Sequence, residues 1–266
     1  FYKLKSIYPN ATYIVDQNGM RNNTFYHQCK KYLKENKHSI LETDIFFCFG
    51  LNEKKRVSKV INAKVYPLGN TLNNNFKIRH RKNKKKIKKI MYISQDPNIR
   101  YDLEKSILEK LFEICEENNL KIYFLDRRGQ NNKKLIEKSF KKKFNYVSNN
   151  YEYLQGYKEL RSDYIYINGH STLGYELLSK NYKCLSFNHT HFNHGIRNVY
   201  NREGPFWSDK NDKKKMSNLI LKTLQMSNKE WIKKIKRFQN ELMIYDEFNK
   251  RKKKIIKNCF RKYEKI

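Results

Sequence analysis

Between residues 163 and 187 the chain reads D-Y-I-Y-I-N-G-H-S-T-L-G-Y-E-L-L-S-K-N-Y-K-C-L-S-F. An apolar strand ending at Ile167 runs into the turn Asn168-Gly169-His170-Ser171-Thr172, and a helix starts at once. A loop at the carboxyl end of a parallel strand is where open α/β sheets bind ligands. The amides of a first helical turn, with the hydroxyls of Ser171 and Thr172, can hold a phosphate. Gly174 lets the helix approach ligand or sheet closely. Glu176, one turn further on, could accept hydrogen bonds from ribose hydroxyls. The same residues also fit a plain capped helix with Ser171 as N-cap and Glu176 in solvent, and spacing alone does not separate the two.

Three other segments offer chemistry. Arg127 and Arg128 follow a strand at 122–125; either guanidinium fork matches a phosphate or a carboxylate, and either could equally be solvated. His189, His191 and His194 fall within six positions, a density that suggests zinc. No nearby cysteine or paired carboxylate completes such a site, so no metal is expected and a loop is the better account. Asp16 sits at a strand end beside the turn Asn18-Gly19, where an aspartate often caps its own backbone.

The elements that must position these residues fall into two regimes. Residues 1–76 read as short strands (11–15, 44–49, 64–66) and a helix over 24–36. Residues 77–89 are almost wholly basic and read as a linker. From residue 90 the pattern is regular, with strands at 90–94, 122–125, 146–148, 164–167 and 184–187. Helices at 101–117, 133–141, 151–161 and 172–180 alternate with them. Such alternation implies right-handed crossovers and a parallel sheet covered on both faces. On the 101–117 helix Leu103, Ile107, Leu111, Ile114 and Cys115 share one face. Beyond residue 226, Ser227-Asn-Lys-Glu230 is a capping box, and Trp231, Ile232, Ile235, Phe238 and Leu242 repeat at helical spacing. The expected domains are therefore 1–76, a linker at 77–89, a Rossmann-like domain at 90–226, and basic helices at 227–266.

Composition limits the partners. The chain has 266 residues, 58 basic and 26 acidic, for a formal charge of +32. Lysine and asparagine are abundant in turns, helix faces and tails alike, the pattern of a coding bias spread over solvated surface. The surplus would still draw the protein toward anionic lipid, by about 1 kcal/mol per basic residue near the surface. The five cysteines form no C-x-x-C pair, and three of them lie in apolar runs, the usage of a reducing cytoplasm. No apolar run is long enough to cross a bilayer and no signal peptide is read.

The run H-S-T-L-G-Y-E-L-L-S-K-N-Y-K-C-L-S-F resembles the donor-site motif of GT-B glycosyltransferases, in which a serine-rich turn and a following acidic residue bind the nucleotide sugar. It is similar in particular to surface-carbohydrate and lipopolysaccharide biosynthesis proteins, and more distantly to bacterial Kdo transferases of capsule assembly. Shorter matches are Asp16-Gln-Asn-Gly19, Asp44-Ile-Phe-Phe-Cys-Phe-Gly50, Pro67-Leu-Gly-Asn70 and Gly204-Pro-Phe-Trp207.

The resemblance implies an α/β, GT-B-like fold: two Rossmann-like domains facing a cleft, the amino-terminal one shorter than the family's and so read as incomplete. It implies a glycosyltransferase that needs no bound metal or cofactor, with the nucleotide sugar as its substrate and a glycan or glycolipid as acceptor. Asp16 would then be general base or nucleophile. Ser94 and Gln95 would face the donor phosphates, with Arg127, Arg128, Gly169, His170, Ser171, Thr172, Gly174 and Glu176 completing the donor site. His189 and His191 would line the cleft. Such an enzyme would work in the cytoplasm, on the inner face of the inner membrane, and bind no nucleic acid. Two rivals are a basic nucleic-acid-binding protein using residues 77–89, for which no RNP motif, zinc knuckle or helix-turn-helix is found, and a polymer-forming phosphotransferase of the membrane surface.

Overall fold

The computed structural model describes residues 6–19, 23–36, 41–77, 89–94, 97–125, 137–138, 145–147, 157, 160–169, 171–187, 203–208 and 212–260. In chain order the strands are β1 Ile14–Asp16, β2 Glu42–Cys48, β3 Asn62–Pro67, β4 Lys89–Ile93, β5 Lys121–Leu125, β6 Asn145–Val147, β7 Ile165–Asn168, β8 Cys184–Phe187 and β9 Trp207–Ser208. The helices are α1 Asn23–Glu35, α2 Leu51–Val57, α3 Thr71–Asn74, α4 Pro97–Glu117, α5 Thr172–Ser179, α6 Lys213–Gln225, α7 Asn228–Leu242 and α8 Lys250–Phe260. They form two compact units, one of residues Phe1–Lys77 with Arg237–Ile266 and one of Ile78–Lys236.

In the first unit β1, β2 and β3 make a parallel sheet in that order. Strand β2 alternates its side chains between two apolar layers, as the two-residue period of a strand requires. Phe46 and Cys48 pack with Tyr26, Val57, Val60 and Val65. Ile45 and Phe47 point the other way and pack with Leu68, and Ile255, Ile256 and Cys259 of α8 cover them. The C-terminal helices are thus not an appendage: α8 is one outer layer of this unit. Gly50 lets the end of α7 come close, since a Cβ there would lie 2.5 Å from the Glu241 carbonyl oxygen and 2.6 Å from the Leu242 carbonyl carbon. The turn into α8 is held by a buried amide network. Asn74 Nδ2 donates to Asn249 Oδ1 (3.1 Å), Asn249 Nδ2 donates to the Thr71 carbonyl (3.0 Å), and the Asp246 carboxylate accepts from the amides of Arg251 and Lys252 (both 3.1 Å).

The second unit holds a six-stranded sheet in the order β6-β5-β4-β7-β8-β9, every neighbouring pair parallel. Its central strands are buried on both faces: Ile90, Tyr166, Ile167, Cys184, Leu185 and Phe187 are fully enclosed. This explains why they read as continuous apolar runs instead of alternating ones. Helix α4 begins at Pro97, four residues before its apolar stripe suggests; proline suits a first helical turn because its missing N–H would have no partner there. It buries Ile107, Leu108, Leu111, Phe112, Ile114 and Cys115. The capping box forms, with Glu230 N–H donating to Ser227 Oγ (3.2 Å) and Ser227 N–H donating to Glu230 Oε2 (2.7 Å). Trp231 is fully buried and its indole N–H donates to the Tyr182 carbonyl (3.0 Å). The helices expected over 133–141 and 151–161 lie almost wholly outside the described residues.

Candidate functional site

Counting strands within the second unit, its order is 3-2-1-4-5-6, the doubly wound order in which the direction of winding reverses between the first and fourth strands. Those strands are β4 and β7, and Ile93 is the register partner of Asn168. Ser94 and Gly169 therefore stand side by side just past the carboxyl ends of the two central strands, at the position where such sheets take ligands. Ser94 is buried, and its N–H donates to the Leu125 carbonyl (3.0 Å).

The turn into α5 is built around Asn168. Its Oδ1 accepts the Ser171 N–H (3.0 Å). Ser171 is extended at φ −70° and ψ 137° and caps the helix, its hydroxyl accepting the Leu173 N–H (3.3 Å). Asn168 is 1% exposed, and its Nδ2 is buried without a hydrogen-bond partner among the described residues. Ser186, the register partner of Asn168 on β8, also has a buried hydroxyl in that condition. A buried donor left so costs about 1–3 kcal/mol. Gly174 makes the arrangement possible: a Cβ on it would stand 2.1 Å from Asn168 Nδ2. Thus Gly174 gives close approach to a strand-end side chain, and Asn168 and Ser186 join the site although their types alone do not mark them.

Glu176 lies on the buried face of α5, 2% exposed, and its Oε2 accepts the Tyr157 hydroxyl (2.6 Å). Lys180 is 1% exposed, with its ammonium 5.9 Å from the centre of the Tyr157 ring. Burial lowers its pKa to about 8, against the opposing pull of the Glu176 carboxylate. The later part of α5 thus carries a buried acid and, at its C-cap, a buried amine, both near the half-buried Tyr157 phenol, and of these the sequence marked only the acid.

In the first unit Asp16 ends β1, and its carboxylate is taken by the Lys252 ammonium of α8. Lys252 also donates to Thr71 Oγ1 (2.8 Å) and lies 4.9 Å from the centre of the Phe47 ring. Beside it, Glu53 is a buried acceptor: Gln17 Nε2 donates to it (3.1 Å), the Tyr26 hydroxyl donates to the same oxygen, and the Arg56 guanidinium meets its other oxygen (3.3 Å). Burial and the Glu53 charge push the Tyr26 phenol well above its ordinary range. Helix α2, which carries Glu53 and Arg56, was not expected; L-N-E-K-K-R-V has only Leu51 and Val57 as apolar markers, and nothing in it signals a buried acid.

Gln95, Arg127, Arg128, His170, His189, His191 and His194 lie outside what the structure describes. Among the described residues no group of three or more His, Cys, Asp or Glu side chains could hold a metal ion, and no helix is long and apolar enough to cross a membrane. The five cysteines are free; burial pushes the Cys48 and Cys115 thiols up to about 12, so they act as small apolar groups.

The doubly wound sheet, the switch-point turn and the smaller parallel unit define a GT-B-like α/β protein. Solved structures share this fold. "Crystal Structure of TarM" covers 92% of this chain and 50% of its own at 15% identity with a TM-score of 0.51. "Crystal structure of GtfA/B complex" covers 93% and 53% at 11% identity with a TM-score of 0.53. The chain thus spans about half the length of these structures. No curated protein sequence matches it. A family described as "putative O-antigen biosynthesis protein" matches residues 98–260, and the chain belongs to that family.

Proposed function

We propose that this chain is the donor-binding part of a glycosyltransferase that passes a sugar from a nucleotide-sugar donor to a surface-polysaccharide or lipopolysaccharide acceptor. The observation that carries this is the β4/β7 switch point, where the buried Asn168 holds the Ser171 amide and so shapes the turn that opens α5 next to Ser94. First-turn amides carry partial positive charge, which a donor diphosphate would answer. Membership in an O-antigen biosynthesis family agrees with a glycan acceptor.

In this proposal Ser94, Gln95, Gly169, His170, Ser171, Thr172 and Gly174 surround the phosphates, Arg127 and Arg128 neutralise them, and Glu176 accepts from the ribose. His189 and His191 line the sugar end. The first unit offers the acceptor surface, with Asp16 as base or nucleophile oriented by Lys252. An anionic membrane would hold the protein through α7 and α8, where Lys229, Lys233, Lys236, Lys250, Arg251, Lys253, Lys254 and Lys257 are exposed and Phe260 is 59% exposed.

The test is calorimetric binding of CMP-, UDP- and GDP-sugars, followed by release of nucleotide in the presence of acceptor. Asn168→Ala and Glu176→Gln should each weaken the bound donor by about one to two orders of magnitude, the loss of one charge-assisted or buried hydrogen bond. If no donor binds at millimolar concentration the proposal fails. If Glu176→Gln binds donor normally but melts much earlier, Glu176 is structural and the ribose lies elsewhere.

A further inference from the structure

A pocket of about 330 Å³ opens in the first unit, walled by Tyr26, His27 and Lys30 of α1, Arg56 of α2 and Lys59 just past it. This is at the small end of the range for ligand sites. Lysines are everywhere on a chain of charge +32, so their presence alone means little. Their setting is what distinguishes these. The Arg56 guanidinium is stacked 4.1 Å over the Tyr26 ring and tied to Glu53 at 3.3 Å. Tyr26 is fixed in turn by its hydroxyl on the same buried carboxylate. One wall is therefore a cation held in place before any ligand arrives, which spares the cost of ordering it. Among the described residues the side chains of His27, Lys30 and Lys59 make no ion pair or hydrogen bond. Glu53, the acid of this cluster, is 2% exposed and turned onto Gln17, Tyr26 and Arg56. Arg56 already has the Glu53 carboxylate beside it, so the uncompensated charge at the pocket is that of Lys30 and Lys59, whose mutual repulsion an anion between them would relieve.

We infer that this pocket binds a phosphoryl group, carried either by a small soluble phosphate ester or by a lipid headgroup. A phosphoryl group offers several acceptor oxygens and more than one negative charge, which suits two lysines and an arginine that line one pocket from different elements. The site belongs to the first unit alone and stands whether or not the second unit binds a nucleotide sugar.

The probes are glycerol 3-phosphate in calorimetry, and phosphatidylcholine vesicles with and without phosphatidic acid in sedimentation, all at fixed ionic strength. The pocket variant is Lys30→Ala with Lys59→Ala. A control of equal charge is Lys229→Ala with Lys233→Ala on α7. All four lysines are exposed, so both variants should melt like the parent. The pocket pair should lose at least about tenfold in affinity for one of the two probes while the control pair stays within about twofold. Arg56→Lys, which keeps the charge but loses the stack and the fork, should lose several-fold. Saturable binding of the soluble ester at one site assigns a free phosphate compound; selective loss on phosphatidic acid vesicles alone assigns a headgroup. Equal losses in the two pairs, or no binding of either probe by the parent protein at millimolar concentration, overturns the inference.

Discussion

Replacing Gly174 by alanine tests the packing on which the switch-point turn depends. On an ordinary helix the change would stabilise by up to about 1 kcal/mol, because glycine is the poorer helix former. Here the new methyl would stand 2.1 Å from Asn168 Nδ2 and 2.4 Å from its Cγ, far inside contact distance. Asn168 is enclosed and cannot simply swing into solvent. Overpacking of this kind costs about 1–3 kcal/mol, and displacing Asn168 also breaks its bond with the Ser171 amide, worth about 1 kcal/mol. The net effect should be a loss of about 1–3 kcal/mol, a fall in melting temperature of roughly 2–10 °C for a domain of this size. Both tryptophans, Trp207 and Trp231, belong to the second unit, so their fluorescence follows the unit in question. Asn168→Ala in the same chain removes the two nearest clashing atoms and leaves only its Cβ at 2.8 Å, so it should restore part of the loss, a non-additivity that a double-mutant cycle reads directly. If Gly174→Ala raises the melting temperature, or if the two changes add, the close contact is wrong.

Three further outcomes are expected. Lys180, with its pKa lowered to about 8 by burial, is charged at a cost on the order of 3 kcal/mol below that pH. Because the unfolded chain holds the proton up to a higher pH, Lys180 itself contributes a rise in stability from about pH 8 toward 10.5, set against the loss from the buried Cys48 and Cys115 thiols, so the parent's stability relative to Lys180→Met should climb over that range in denaturant titrations. Asp16→Asn and Lys252→Met should couple by about 0.5–3 kcal/mol, since they remove two ends of one ion pair; additive losses would show that the pair contributes nothing. Ser227→Ala should cost about 1 kcal/mol by removing one half of the capping box, seen as an earlier loss of Trp231 fluorescence, and no change would mean that tertiary contacts alone fix the start of α7.

Fold was legible where burial is uniform. Strands β4, β7 and β8 and helix α4 announced themselves because both faces of the sheet are covered and α4 has one apolar stripe. The capping box at Ser227 was legible because it is local chemistry. The first unit was less so. Its sheet is completed by residues about two hundred positions away, and nothing near β2 says that Ile255 and Ile256 will cover it. The site shows the same division. Ser171 and Gly174 were marked by residue type at a helix start, whereas Asn168, Ser186 and Lys180 gain their meaning from register and burial, which no short window contains. Glu53 and Lys252 looked like two more charges in a chain of 84 charged residues, 58 basic and 26 acidic; only the folded neighbourhood separates them from the rest.

The return of α8 to the first unit has a consequence for synthesis. Residues 78–236 are contiguous and can fold as soon as they have left the ribosome, but the first unit is split around them. At translation speeds of 5–20 residues per second, its strands wait roughly 10–40 s for the helix that covers Ile45, Phe47 and Leu68. Over that interval a short parallel sheet has one apolar face without its cover, a surface that invites aggregation. The strands of the first unit are therefore made before residues 78–236 but gain their cover after them, and a chain stopped near residue 236 would leave them without it.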